Sequence, residues 1–245
     1  MRKFLLLTTT MLVVCLASGF VSHQTQQKEQ PYWRLEVPTP VQDGVLTDRQ
    51  KEHSKLHERY ELKGGDKIRD ELMRVAEVRR FRISCGVIRD TPDLVTELAE
   101  KADAVVMASF VSKSSQITSS GKSVFTDYDL RIEQVLKDAS PGTLKCDAII
   151  TVTRLGGKVL LFGRAASFYD SSLNPLMPGR RYLFFLRYIP ATGAFETVNS
   201  GFDITEAKVR MLSDIAYRPF QTDLWDFINS VKVAITNNQK NGRTQ

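Results

Sequence analysis

The feature that most constrains the fold is a change in hydrophobic period near residue 102. Before it, apolar residues recur at helical spacing; from there to residue 198 they alternate with polar residues or form short β-branched runs. Turn signals such as Pro141-Gly142 and Gly156-Gly157 separate the runs, and the latter predicts a hairpin. Because parallel strands need long crossover connections, strands that follow one another directly predict a mainly antiparallel sheet.

Alternation is clearest in residues 124–136, where Tyr128 and Leu130 fall on one face and Asp127 and Asp129 on the other. One face is therefore predicted to be buried and the other to be solvated. About five to seven strands over residues 102–205 suit a closed barrel or a small sandwich. The predicted class is α+β, a mainly antiparallel β-barrel flanked by N- and C-terminal helices.

Helices are predicted on both sides of the strands. Thr47 can cap a helix that ends near Tyr60, and Thr91 can cap another that starts at Pro92. Two more are predicted over residues 206–217 and from Asp223 onward. Between the first two, one helical face is formed by Ile68, Leu72, Val75 and Ala76. We expect residues 45–101 to pack on the barrel, and residues 206–245 to form C-terminal helices and a tail.

The N-terminus predicts export. Arg2 and Lys3 precede an apolar run, and Ala17-Ser18-Gly19 offers small residues for cleavage, so residues 1–19 are predicted to be a signal peptide. The protein would then be secreted or periplasmic. In the alternative, the uncleaved segment anchors the protein in a membrane, because its length is about the lower limit for a spanning helix. Residues 20–44, rich in Gln, Thr and Pro, are predicted to be an extended linker.

The distribution of charge limits the expected binding partners, and the cysteine content limits the possible disulfides. The net charge is +6, but bases and acids are interspersed, as in Lys51-Glu52, so there is no basic stripe and nucleic acid is not expected as a partner. A membrane is expected as a partner only if the N-terminal segment is uncleaved.

An oxidising compartment permits a disulfide between Cys85 and Cys146, and the sequence leaves pairing and two free thiols as equal alternatives.

His53, His57 and Glu61 lie four residues apart on the first helix, which aligns three candidate metal ligands. At 1.5 Å per residue the outer two are about 12 Å apart, so only the histidines could share an ion. Zinc sites usually need three or four protein ligands. A solvated helix with charge pairs is the favoured interpretation, and a metal-dependent hydrolase that uses His53 and His57 is kept as an alternative.

No catalytic set is apparent within the predicted strands. All three histidines precede them, and there is no Gly-x-Ser-x-Gly motif. We therefore expect no enzymatic activity and no cofactor. The Ser- and Asn-rich connection over residues 168–178 is the predicted ligand-binding loop, with the candidate residues Asp170, Ser171, Ser172 and Asn174.

Several segments carry a resemblance: residues 102–106, Thr126-Asp127-Tyr128, residues 153–157 and residues 178–186. Together they resemble a family of uncharacterised exported bacterial proteins, similar in layout to netrin-like and TIMP-like OB-fold domains. The resemblance implies a five-stranded OB-like barrel flanked by helices. Inhibitors of that fold bind a protease zinc through an N-terminal cysteine, which the predicted mature chain lacks, so no inhibitory residue is carried over.

The sequence thus predicts an exported, non-enzymatic binding or scaffold protein of OB-like fold. Its expected partner is a protein or another envelope component. A membrane-anchored structural protein of the envelope is the further alternative.

Overall fold

The computed structural model of the chain describes residues 36–41, 45–61, 66–82, 92–139, 144–170, 173–198, 201–207, 209–212 and 223–241. These residues form four α-helices and two β-sheets, a mixed α+β fold. The predicted signal peptide lies outside the described residues. None of the described helices has the length and apolar character needed to cross a membrane.

The helices are α1 (Asp48–Glu58), α2 (Ile68–Arg74), α3 (Pro92–Lys101) and α4 (Leu224–Asn241). The long strands are β2 (Glu77–Arg82), β3 (Ala104–Ile117), β4 (Val124–Asp138), β5 (Ile149–Leu155), β6 (Gly157–Leu161), β7 (Arg164–Asp170) and β8 (Arg181–Ile189). The short strands are β1 (Thr39–Pro40), β9 (Ala194–Thr197), β10 (Phe202–Asp203) and β11 (Arg210–Met211).

The larger sheet has the order β11-β10-β8-β3-β4-β5-β9, and β8 also pairs with β9. Five strands therefore pair in a closed succession, β3-β4-β5-β9-β8 and back to β3, which we call the five-strand ring. The β5–β9 pairing is parallel and the other four are antiparallel. The predicted mainly antiparallel character of this sheet is confirmed. The smaller sheet has the order β1-β6-β7-β2.

Three buried clusters hold these layers together. One takes side chains from all five strands of the ring, including Val106, Leu130, Val152, Phe184 and Phe195. A second lies where α3 and α4 pack on β3 and β8, and it buries the α3 residues predicted to face the core, Leu94, Val95, Leu98 and Ala99. The third joins α2 to the smaller sheet. Burial of these apolar side chains is the main force that stabilises the fold.

The alternation predicted for β4 changes face before its end. Leu130 and Ile132 belong to the cluster of the ring, whereas Leu136 packs against the cluster beneath α3 and α4. The β3–β4 pairing shifts register between Met107 and Ala108 and again between Val105 and Val106. Because an extra residue in one strand reverses which side chains point inward, these bulges redirect the last residues of β4.

The chain does not form a hairpin at Gly156-Gly157, so that prediction is wrong. It leaves β5 in the larger sheet and enters β6, which pairs with β7 and β1 in the smaller sheet. Gly157 has φ +143°, and a Cβ there would overlap Oγ1 of Thr126. The glycine is needed for this close approach between the two sheets rather than for a tight turn.

Three further boundaries differ from the predictions. Within the predicted linker, residues 36–41 join the fold through β1, which pairs with β6. Residues 168–170 belong to β7 and not to the loop. The helix predicted over residues 206–217 is replaced in its described part by β11, while residues 213–217 lie outside the described residues. Strand β2 was not predicted, because its sequence, Glu-Val-Arg-Arg-Phe-Arg, has little apolar character.

Candidate functional site: a groove beside helix α1

Helix α1 is anchored to the five-strand ring by a fully buried histidine. Thr47 and Gln50 form a capping box at the start of the helix, which fixes where it begins. His53 then places Nδ1 2.8 Å from Oδ1 of Asp127 on β4, and Nε2 3.0 Å from Oγ1 of Thr192 between β8 and β9. A single side chain thus ties the helix to three strands of the ring.

His57, one turn later, makes a second buried contact with the ring. Its Nε2 lies 3.0 Å from Oγ1 of Thr153 on β5, and its ring stacks on Phe125 at 5.7 Å between centroids. Its Nδ1 is buried and has no hydrogen-bond partner among the described residues. Burial lowers the pKa of His57 to about 3, so the ring is neutral at physiological pH. A neutral imidazole has one donor nitrogen and one acceptor nitrogen, whereas protonation makes both nitrogens donors. Protonation of His57 would therefore change this contact.

The two histidines are arranged as anchors of the helix. Both ring nitrogens of His53 lie within hydrogen-bond distance of protein groups, and Nε2 of His57 does so as well. Within the described part of the chain, no group of three or more His, Cys, Asp or Glu side chains is placed to hold a metal ion. Glu61, the third candidate on this face, points to a different part of the structure.

The turn between β3 and β4, residues 118–123, is held against the end of α1 by hydrogen bonds. Ser54 Oγ accepts from the backbone N–H of Ser119 at 2.7 Å and donates to Oε1 of Glu58 at 2.8 Å. The same Oε1 accepts from the backbone N–H of Ser120 at 2.9 Å. We call residues 118–123 the serine turn. Its backbone is therefore positioned by the helix.

Glu61 completes this attachment from the residues that follow α1. Its carboxylate accepts from the hydroxyls of Thr118, Ser120 and Ser123 at 2.6 to 2.7 Å. Three hydroxyl donors on one carboxylate satisfy its negative charge locally, because hydrogen bonds to an ionised acceptor are the strong ones. The acid near the turn is thus occupied by the turn itself.

An open cavity of about 360 Å³ lies beside the serine turn. We call it the α1 groove. Its walls are the segment before α1, the first turns of α1 and α2, and the end of β3 with the serine turn. It is lined by Val41, Val45, Leu46, Lys51, Lys67, Arg69, Gln116, Ile117, Thr118, Ser119, Ser120 and Gly121.

The lining combines positive charge with an apolar floor. Lys51, Lys67 and Arg69 contribute three cationic side chains, and no Asp or Glu is among the lining residues that the structure describes. Val41 and Ile117 on the floor pack against the buried cluster beneath α2. The groove can therefore attract negative charge and shelter apolar surface at the same time.

The described residues of the predicted ligand-binding loop are not among those that line the α1 groove. Asp170 is the last residue of β7 and only 6% exposed. Asn174 donates its backbone N–H to the carbonyl of Leu212, and its own carbonyl accepts from Arg154 at 2.9 Å. Ser171 and Ser172 lie outside the described residues. The backbone of Asn174 is thus engaged in the fold, and ligand binding by this segment stays a prediction.

The proposed disulfide also stays a prediction. Cys146 is exposed just before β5, whereas Cys85 lies outside the described residues.

Sequence reasoning missed the groove because its residues come from segments that are far apart in the chain. The signal available was the serine-rich turn 118–123 between two strands, together with acidic residues at the end of α1. The alternating pattern of β4 assigned Asp127 to a solvated strand face, but α1 covers that part of the face. His53, which it treated as a metal candidate, is the side chain that meets Asp127 there.

Comparison of the chain with protein families finds no matching family, and comparison with curated proteins finds no similar sequence.

Proposed function

We propose that this protein is an exported, non-enzymatic binding protein built on an OB-like barrel, and that its ligand enters the α1 groove. The single observation that carries the proposal is this groove, whose serine turn is held in place by hydrogen bonds to Ser54, Glu58 and Glu61. Its volume of about 360 Å³ is in the range of small-molecule sites. The groove replaces the loop of residues 168–178 as our preferred site.

The OB-like barrel is supported by the order of pairing in the ring. Strands β3, β4 and β5 pair consecutively, and the last two strands close the ring in exchanged order, β9 next to β5 and β8 next to β3. A five-stranded Greek-key arrangement of this kind is typical of OB folds. Ligands of such barrels bind against strand faces and the loops at the rim, and the serine turn is the loop between the first two strands of the ring.

Export rests on the N-terminal sequence alone, with Arg2 and Lys3 before an apolar run. A secreted or periplasmic location therefore belongs to the same proposal, as does an envelope component as the source of the ligand. The hydrolase alternative is less favoured because His53 and His57 are engaged with Asp127, Thr192 and Thr153.

A thermal-shift screen of small molecules with three forms of the full chain tests the binding proposal. Ser119→Trp fills the groove from an exposed position, and Val233→Trp adds the same bulk on the exposed side of α4. We expect ligands that raise the Tm of the wild type and of Val233→Trp but not of Ser119→Trp. Ligands that stabilise all three forms equally would show that the groove is not the binding site.

A further inference from the structure

We propose that the α1 groove binds a small organic anion, a phosphate or carboxylate that carries a compact hydrocarbon part. The inference deepens the proposed function and rests on it, because it specifies the chemistry of a ligand in the same groove. It is carried by the charge, the floor and the size of the cavity taken together.

The charge of the lining favours an anion. Lys51 on α1, and Lys67 and Arg69 at the start of α2, line the cavity, and no carboxylate is among its described lining residues. Among the described residues Lys51 pairs with Asp48, whose side chain is 99% exposed, and such a pair is weak and screened by water. An anion bound in the groove would contact Lys51 at a position less exposed to water than the side chain of Asp48.

The nearby acids do not oppose such a ligand strongly. Glu61 is surrounded by three hydroxyl donors of the serine turn, and Oε1 of Glu58 accepts from Ser54 and from the backbone of Ser120. These hydrogen bonds engage both carboxylates with Ser54 and the serine turn. The described lining residues of the groove contribute three cations and no carboxylate, so they favour an anion.

Lys67 is positioned before any ligand arrives. Its side chain lies along the serine turn and close to Gly121. A Cβ added to Gly121 would be 3.4 Å from Cβ, Cγ and Cδ of Lys67. The backbone carbonyl of Gly121 accepts from the N–H of Ile68 at 2.8 Å, which fixes α2 beside the turn. A side chain that is already confined loses less conformational freedom on binding.

The floor and the volume define the rest of the ligand. Val41, Leu46 and Ile117 offer apolar contacts, so a hydrocarbon part would be removed from water there. At about 360 Å³ the cavity is near the lower end for small-ligand sites. This size fits one compact molecule.

Isothermal titration calorimetry of the full chain with four probes tests the inference: hexyl phosphate, hexanol, hexyltrimethylammonium and inorganic phosphate. We expect hexyl phosphate to bind most tightly and to weaken as NaCl is added. The double variant Lys67→Gln/Arg69→Gln should lose about tenfold or more in affinity, since charge-assisted hydrogen bonds are lost. Lys232→Gln, which removes one exposed cation on α4, should bind like the wild type.

The outcomes separate this inference from the proposed function. If hexanol or hexyltrimethylammonium binds as tightly as hexyl phosphate and Ser119→Trp abolishes that binding, the groove is a binding site but the anion inference is wrong. If hexyl phosphate binds Ser119→Trp as well as the wild type, both the site and the inference are wrong. Absence of binding by all four probes overturns the inference, while the ligand screen still tests the proposed function by itself.

Discussion

His53 Nδ1 lies 2.8 Å from Oδ1 of Asp127, which joins α1 to a strand 74 residues later in the chain. The histidine side chain is fully buried and the aspartate side chain is 12% exposed. The contact determines where α1 sits on the ring, and the groove exists because α1 sits there.

Asp127→Ala should lower the free energy of unfolding by about 2–4 kcal/mol, because it leaves a buried imidazole without its carboxylate partner. Asp129→Ala on the same strand is the matched control. Asp129 bonds to Ser112 and Thr151 nearer the solvent, so its loss should cost about 1 kcal/mol or less. Urea unfolding measures both. Equal losses would show that the contact with His53 is not a special anchor of α1.

The buried His57 predicts acid sensitivity. Its pKa is about 3 in the folded protein and near 6.5 when exposed, so the unfolded state binds the proton first as the pH falls. The free energy of unfolding should therefore decrease between pH 6.5 and 3, by up to about 1.4 kcal/mol per pH unit from this group. Asp127 opposes the shift, whereas His53 and Arg59 add to it.

The matched variant for this pH dependence is His57→Gln, which stays neutral throughout. Urea unfolding at several pH values should give this variant a shallower loss of stability over the same range. Equal slopes for the variant and the wild type would contradict a buried, neutral His57.

Glu61→Ala should loosen the serine turn, because Thr118, Ser120 and Ser123 lose their shared acceptor. Loss of hydrogen bonds to a charged group is worth about 1.5–3 kcal/mol, so amide exchange in residues 118–123 should accelerate about tenfold or more. Hydrogen exchange followed by mass spectrometry measures this. Glu52→Ala removes a partly exposed acid of α1 that pairs with Lys55, and it should leave the turn unchanged. The same acceleration in both variants would argue against the Glu61 contact.

Gly157→Ala should be strongly destabilising, by about 3 kcal/mol or more, because the new Cβ would overlap Thr126 at the crossing between the sheets. Gly163→Ala tests the same change where nothing lies within 4 Å of the new Cβ. Its φ of +70° still disfavours alanine, so we expect a cost of about 1 kcal/mol. Thermal and urea unfolding compare the two. Similar costs would mean that the two sheets do not approach closely at Gly157.

Local signals predicted the elements well where one helix or strand face decides the structure. The cap at Thr47 and the α3 stripe of Leu94, Val95 and Leu98 both correspond to helices that the structure contains. The apolar, β-branched run at the start of β3 and the period of two over β4 likewise predicted strands. These features depend on residues within about two turns of one another, which a sequence displays directly.

Features that depend on distant segments were missed. In the alternating pattern of β4, Asp127 falls on the face expected to be solvated. It is part of a buried contact only because α1 packs on that face. Gly156-Gly157 has the composition of a hairpin turn, but the second glycine is required by Thr126 from another strand. The α1 groove likewise combines residues from four segments between Val41 and Gly121, so no local pattern indicates it.

The central claim is that the α1 groove binds a small organic anion, and an NMR titration locates the bound anion most directly. Hexyl phosphate is added to the isotope-labelled full chain, and amide chemical shifts are followed. The account predicts that the shifts concentrate at residues 45–51, 67–69 and 116–121. Shifts that concentrate instead at residues 173–177, or that are absent throughout the groove at saturating probe, would contradict it.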